Sequence, residues 1–334
     1  MTSEPRTGES PAETLGVVLS GTGGVWRVRR DDGVVVEASL RGRLKKSNAG
    51  RRADGSLRRD TIASAAETLK LAIGDRVVLE QDESAPAWAI AEILPRRSQL
   101  ARRAPGGGYG ERVVAANVDQ VVVVFAAANP EPHPRMLDRF LVIAEANGLA
   151  SRIVINKVEL VGGADAARER WAVYERAGYP VHFTSAKRNE GLSALHDALA
   201  GRTSVLTGPS GVGKSSLMNA IFPGLDLRVG EISESVNKGR HTTVGGYLHP
   251  LPGDEEGFVA DTPGLREVGM WALSPTELDR CFPEFRPFLD QCRFGDCTHR
   301  VEPDCGVRSA LSRGEIAAAR YDSYVRLREE LEEQ

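Results

Sequence analysis

The stretch Gly208-Pro209-Ser210-Gly211-Val212-Gly213-Lys214-Ser215 constrains this chain's fold more than any other. It satisfies G-x-x-x-x-G-K-[ST] and lies between a short strand pattern, Ser204 to Thr207, and a helix pattern, Lys214 to Ile221. Glycines let such a loop wrap a phosphate, while its N–H groups and the helix N-terminus supply positive potential. Lys214 would reach the β- and γ-phosphates, and Ser215, followed by Ser216, would offer a hydroxyl to Mg²⁺. A strand, loop and helix of this kind belong in a parallel sheet. The flanking rhythm agrees, because Val121-Val122-Val123-Val124-Phe125 is a continuous apolar run suited to a strand buried on both faces. Helix is expected after Pro134, over Asp165 to Arg176 and over Leu192 to Leu199. Strand is expected over Arg152 to Ile155 and Val181 to Phe183. The alternation predicts a doubly wound α/β domain.

Four further fragments gain meaning from their order. Asn156-Lys157-Val158-Glu159 and Thr184-Ser185-Ala186 precede the phosphate loop, whereas His241-Thr242-Thr243 and Asp261-Thr262-Pro263-Gly264 follow it. In an ordinary GTPase the phosphate loop comes first, so this is the order of a circularly permuted one. A carboxylate at position 159 can accept two N–H bonds from guanine. Asn156 would hold the loop near the phosphate site, Lys157 would cover the base face, and Ser185 and Ala186 would offer backbone N–H groups to the guanine oxygen. Asp261, at the end of an expected strand, would act beside Mg²⁺ through water, and the Gly264 N–H would meet the γ-phosphate. Two positions depart from the usual pattern. Glu159 stands where aspartate is usual, which bears on the preference for guanine. Leu265 stands where many GTPases carry a water-orienting glutamine, which implies slow unaided hydrolysis. His241 is then either a side chain that enters the site or a solvent-exposed loop histidine.

With 334 residues the chain is long enough for two or three domains. A polar tail, 1–12, is expected to be disordered. Five short alternating segments then fall within residues 13–97: Gly16 to Leu19, Val25 to Val28, Val34 to Ala38, Val77 to Leu79 and Trp88 to Leu94. They suggest an oligonucleotide-binding (OB-fold) barrel. Trp26 and Trp88 either stack on RNA bases at its rim or pack its core. The net charge of −3 conceals a basic loop, 41–69, in whose stretch from Arg41 to Arg59 the residues Arg41, Arg43, Lys45, Lys46, Arg51, Arg52, Arg58 and Arg59 are opposed only by Asp54. Such a cluster is either an RNA-binding footprint or a solvated loop. Gln99 to Tyr109, with Gly106-Gly107-Gly108, reads as a linker into a nucleotide domain spanning 98–270.

No apolar run is long enough to span a bilayer, and the N-terminus lacks signal-peptide features, which together predict a cytoplasmic protein with no membrane partner. In that reducing compartment Cys292-x4-Cys297-x-His299-x5-Cys305 matches a closed, structural Zn²⁺ site. Cys281 lies upstream and reads as a core thiol. A helix from about Glu315 to Leu331 would set Ala317, Tyr321, Tyr324, Leu327 and Leu331 on one stripe, completing an α-helical zinc module over 271–334.

These motifs together resemble the ribosome small-subunit-dependent GTPases of the RsgA (YjeQ) family. The resemblance rests on Gly208 to Leu217, Gly239-Arg240-His241-Thr242-Thr243, Asp261 to Gly264 and the cysteine–histidine quartet. It implies an N-terminal OB barrel, a central α/β P-loop GTPase domain of permuted motif order and a C-terminal zinc module. It also implies a late assembly factor that binds the small ribosomal subunit and its rRNA and is stimulated by it to hydrolyse GTP to GDP; nothing in the sequence suggests an oligomer, so a monomer is expected. Carried over by position, Thr243 becomes the switch threonine for Mg²⁺ and γ-phosphate and His241 the catalytic helper. Two other readings remain open at this level: an RNA-binding checkpoint with negligible turnover, and a P-loop NTPase of relaxed base specificity.

Overall fold

The computed structural model describes residues 14–41, 71–81, 87–103, 111–227, 246–253, 256–261 and 273–333. The chain divides into two compact units, the first ending at Arg96 and the second beginning at Arg97.

The first unit is a closed five-stranded barrel. Its strands are β1 (Thr14–Thr22), β2 (Val25–Arg30), β3 (Val35–Leu40), β4 (Arg76–Gln81) and β5 (Trp88–Ile93), in the order β1-β2-β3-β5-β4. The β3–β5 pairing is parallel, and β4 closes the barrel on β1. This is the OB arrangement. Strand alternation points Trp26 and Val28 inward beside Val18, Ala38, Leu79 and Ile90, and leaves Val25 and Arg27 outside. Trp26 is therefore core. It lies across the backbone at Gly21, where a Cβ would come within 2.3 Å of the indole. Trp88 is half-buried against the same cluster, with the Arg30 guanidinium 4.9 Å above its ring. Asp75, in the turn entering β4, is fully buried. It accepts the Ala72 N–H at 2.7 Å and a two-point ion pair from Arg96 at 2.7 and 2.9 Å.

The second unit opens with a correction to the linker expectation. Gln99–Arg103 (β6) and Glu111–Ala116 (β7) form an antiparallel hairpin. Leu100, Ala115 and Ala116 are buried and supply the apolar face that fixes it, whereas the glycine run lies outside the described residues.

The main sheet follows in the expected rhythm: β8 (Gln120–Ala126), α1 (Pro134–Ala146), β9 (Ala150–Asn156), α2 (Ala164–Arg176), β10 (Val181–Phe183), α3 (Leu192–Leu199), β11 (Thr203–Thr207), α4 (Lys214–Ile221), β12 (Tyr247–Pro250) and β13 (Phe258–Asp261). The order is β10-β9-β8-β11-β13-β12, parallel except for edge strand β12. Every residue of β8 is buried, as its apolar run requires. The chain winds outward from β8 to β10 and restarts at β11 beside β8, so a topological switch point lies between the C-terminal ends of β8 and β11.

At the other edge, His182 on β10 accepts a hydrogen bond at Nε2 from Arg152, 2.7 Å away. Burial and the neighbouring guanidinium depress the imidazole from 6.5 to about 4. The unfolded chain therefore binds the proton first as pH falls, so this site's contribution to stability is lost from about 6.5 down to 4. We expect His182→Gln to flatten that part of the pH dependence of urea denaturation, and an unchanged slope would refute the assignment.

After β13 come 3-10 turns Pro275–Cys281 and Pro283–Phe285, then α5 (Arg286–Leu289), α6 (Gly306–Ser312) and α7 (Ala318–Glu332). Helix α7 starts later than the sequence suggests, with Ala317 as its N-cap. Its buried face is also more polar than the expected stripe, because Arg320, Ser323 and Arg328 join Tyr324, Leu327 and Leu331, while Tyr321 is only half-buried. Arg320 is 1% exposed and sits between Asp138 of α1 (2.5 Å) and Glu284 (2.6 Å), with Phe282 4.6 Å from its guanidinium. Arg286 also pairs with Glu145, and Arg139 with Glu330. Helix α1 is thus ion-paired to the C-terminal segment at three points. Among the described residues no helix is long and apolar enough to cross a membrane.

Candidate nucleotide site and metal centre

The phosphate loop connects β11 to α4 beside the switch point. Its glycines have geometric duties. Gly208 has φ +130° and a Cβ there would fall 2.0 Å from the Val124 carbonyl oxygen. Gly213 has φ +93°, and a Cβ there would fall 2.7 Å from Asn156 Nδ2. Gly211 also has positive φ, +77°. Lys214 and Ser215, the first residues of α4, are both buried. Lys214 Nζ donates to the carbonyls of Gly208 (2.9 Å) and Pro209 (2.8 Å), so its ammonium lies folded along the loop.

Asn156, at the end of β9, gathers the site. Its Nδ2 donates to the Val212 carbonyl at 3.0 Å, and its Oδ1 accepts from the Ala186 N–H at 3.2 Å and the Thr184 hydroxyl at 3.3 Å. Lys157, held at φ 63°, donates from Nζ to the carbonyls of Asn129 and Gly211. Ser185 bridges to Glu190 through backbone hydrogen bonds, and its hydroxyl accepts the Arg188 N–H at 3.1 Å. Glu159 sits on the 3-10 turn Val158–Val161, where its Oε2 is buried without a hydrogen-bond partner. An orphaned carboxylate oxygen is a costly feature that a ligand N–H would relieve. Asn156, Lys157, Ser185, Ala186 and the loop from Gly208 are therefore brought together as the sequence suggests. The backbone of Asp261 ends β13 opposite Tyr247. The Asp261 side chain, His241, Thr243 and Gly264 lie outside the described residues. So do Arg43, Lys45, Lys46, Arg51 and Arg52, while Arg41 is ion-paired to Glu80 of the barrel.

In the C-terminal segment the ligand atoms of Cys292, Cys297, His299 and Cys305 all lie within 4.8 Å of one another. Cys292 Sγ is 3.9 Å from Cys305 Sγ, and His299 Nδ1 is 3.5 and 3.4 Å from those two sulfurs. Tetrahedral Zn²⁺ with metal–sulfur bonds of about 2.3 Å requires sulfur separations of about 3.8 Å and nitrogen–sulfur separations of about 3.6 Å. The donor set fits that ion, and so does the spacing of Cys292, His299 and Cys305. Nε2 of His299 is 3.2 Å from Asp279 Oδ2, the outer carboxylate partner that metal-binding histidines commonly have. Tyr321 donates to the His299 carbonyl (2.7 Å) and Tyr324 to the Thr298 carbonyl (3.0 Å), so α7 braces the loop. Glu302 accepts N–H bonds from Thr298, Arg300 and Val301. Against an opposing burial effect, the Thr298 hydroxyl and the N–H groups of Thr298, Glu302 and Val301 hold its carboxyl down at about 2. Cys281 is not in the cluster. Its thiol donates to the Glu277 carbonyl, and burial pushes it up to about 12.

A family model described as RsgA GTPase matches residues 93–271, more than half of the chain. A relative from Gemmatimonas aurantiaca, named small ribosomal subunit biogenesis GTPase RsgA, is 58% identical over 95% of this chain and 97% of its own length. The chain belongs to the RsgA GTPase family. A Bacteroides fragilis relative of the same name is 35% identical over 95% of this chain and 97% of its own. The crystal structure of YjeQ from Thermotoga maritima superposes with a TM-score of 0.75 at 35% identity, covering 96% of this chain and 99% of that one. YloQ, described as a circularly permuted GTPase, superposes with a TM-score of 0.70 at 26% identity, covering 98% of both.

Two side chains in this RsgA-family site carry no motif signal. Asn219 of α4, one turn beyond Ser215, clamps Leu227 through its N–H and carbonyl at 2.9 and 2.7 Å. Asp279 is the other, because only the folded chain brings it to His299.

Proposed function

We propose that this RsgA-family protein hydrolyses GTP to GDP and phosphate while bound to the small ribosomal subunit, late in that subunit's assembly, and that the subunit stimulates the reaction. The observation that carries the reading is the pair of hydrogen bonds by which Asn156 holds Val212 and Ala186, residues 56 and 30 positions away in the chain. They join the base-reading and phosphate-binding motifs into one site despite the permuted order, and the relatives' name supplies the subunit.

In this account the backbone from Gly208 to Ser216 cradles the phosphates, and Lys214 exchanges its carbonyl contacts for the β- and γ-phosphates. Lys157 covers the base face, Glu159 accepts from the base, and Ser185 and Ala186 donate to its carbonyl. Ser215 and Thr243 would hold Mg²⁺, which would neutralise charge on the phosphates when bound. Asp261 and Gly264 sense the γ-phosphate. Leu265 cannot orient water, which leaves His241 to do so once the subunit is bound. Cys292, Cys297, His299 and Cys305 hold one Zn²⁺ that organises the module 271–334 and takes no part in the reaction. Arg41, Arg43, Lys45, Lys46, Arg51 and Arg52 contact rRNA phosphates beside the barrel. The protein acts as a cytoplasmic monomer.

A γ-phosphate switch implies that affinity for the subunit depends on the nucleotide. Co-sedimentation with small subunits should be at least about tenfold tighter with a non-hydrolysable GTP analogue than with GDP. Equal affinity in the two states would sink the switch.

A further inference from the structure

We infer that Glu159 reads only part of the base, so that the site accepts hypoxanthine nucleotides nearly as well as guanine nucleotides while refusing adenine nucleotides. The inference rests on the GTPase reading above.

The backbone that carries this carboxylate is pinned. Lys157 Nζ is bonded to the Asn129 and Gly211 carbonyls, the latter at 2.7 Å. Val158 is 1% exposed, and its N–H donates to the Thr184 carbonyl at 3.2 Å. The Val158 carbonyl accepts from Gly163 at 2.9 Å, and the Lys157 carbonyl accepts from Leu160 at 3.0 Å. With both neighbours held, the turn cannot retreat to absorb the methylene by which glutamate exceeds aspartate.

The two carboxylate oxygens also sit in different surroundings. Oε2 is buried and has no hydrogen-bond partner, whereas Oε1 is not among the buried unpartnered atoms of this half-buried side chain and stays in contact with solvent. Guanine presents two donors to such a carboxylate, the ring N1–H and the exocyclic amino group. A donor meeting the desolvated Oε2 gains most, because no water bond is given up there. A donor meeting Oε1 only replaces a water. The inference sets N1–H on Oε2, an arrangement that would make the contact common to guanine and hypoxanthine the strong one and the contact unique to guanine the weak one. Adenine turns an unprotonated N1 toward the buried oxygen, setting acceptor against acceptor.

The test is displacement of fluorescently labelled GDP from the full-length protein by GDP, IDP and ADP. IDP should compete within about tenfold of GDP, the range for losing one solvent-exposed hydrogen bond. ADP should be weaker by more than about a hundredfold. E159D, which restores the shorter arm, should widen the IDP-to-GDP ratio at least about threefold. A wild-type ratio above tenfold would overturn the inference without any variant, and so would an E159D protein that binds GDP with an unchanged ratio. Failure to bind GDP, or displacement by ADP as readily as by GDP, would instead overturn the GTPase reading on which it rests.

Discussion

Arg320→Ala is expected to destabilise the second unit by about 3–5 kcal/mol, read as a lower urea midpoint for the transition that reports the C-terminal segment. The guanidinium is buried to 1% exposure and bonded to both Asp138 and Glu284. Burial alone would disfavour its charge, but the two carboxylates more than offset this and hold its pKa above the ordinary arginine value. Removing the cation leaves two desolvated carboxylates facing each other, the situation that makes deletion of one partner far costlier than the net worth of the intact cluster. Replacing all three residues with apolar side chains of similar volume should recover much of the loss, because the desolvation cost then disappears along with the attraction. A single substitution that left the midpoint unchanged would show that the cluster is hydrated and the packing looser than described. The consequence for function is mechanical. Asp138 belongs to α1, whose N-terminal approach includes Asn129, a partner of Lys157 in the nucleotide site. The C-terminal segment follows Asp261 in the chain, yet it is fastened to the base-reading side of the sheet.

Cys305→Ser should have an effect of similar or larger size. If one Zn²⁺ is held by the quartet, replacing a thiolate by a hydroxyl removes a metal ligand, while the serine oxygen can still cap α6 in place of Cys305 Sγ, which receives the Arg308 N–H at 3.5 Å. Metal binding of this kind is coupled directly to folding. Bound zinc should fall from one per chain to well below that, with a stability loss of more than about 4 kcal/mol and rapid proteolysis of the C-terminal segment. Cys281→Ser should leave the zinc content at one, since that thiol lies outside the cluster. A Cys305→Ser protein with an intact, protease-resistant C-terminus would contradict the metal centre.

The parts of this molecule legible in its sequence are those where local chemistry and the fold make the same demand. The glycines at 208 and 213 are needed both for positive φ and for close approach to Val124 and Asn156, so the motif and the geometry coincide. The β8 run and the barrel alternation follow directly from which faces are buried. Elsewhere the deciding contacts are long-range. Gly106-Gly107-Gly108 signals a break, but the hairpin around it is fixed by Leu100, Ala115 and Ala116 finding a core. Edge strand β12 has a single fully buried residue, Leu248, and ends in Pro250, too weak a pattern to register alone. Helical spacing sets Arg320 on the stripe of Tyr324, Leu327 and Leu331, but its charge argues for solvent, and only the carboxylates of Asp138, 182 residues earlier, and Glu284 explain its burial. Asn219 and Asp279 are ordinary helix and turn residues until Leu227 and His299 are placed beside them.

The central claim, a GTPase site completed by the small ribosomal subunit, is tested most directly by multiple-turnover hydrolysis of GTP and ATP by the purified protein, with and without small subunits. The account predicts slow hydrolysis of GTP alone, stimulation of at least about a hundredfold by the subunit, and no comparable stimulation with ATP. Fast hydrolysis of GTP without subunits, or a rate that subunits leave unchanged, would contradict it.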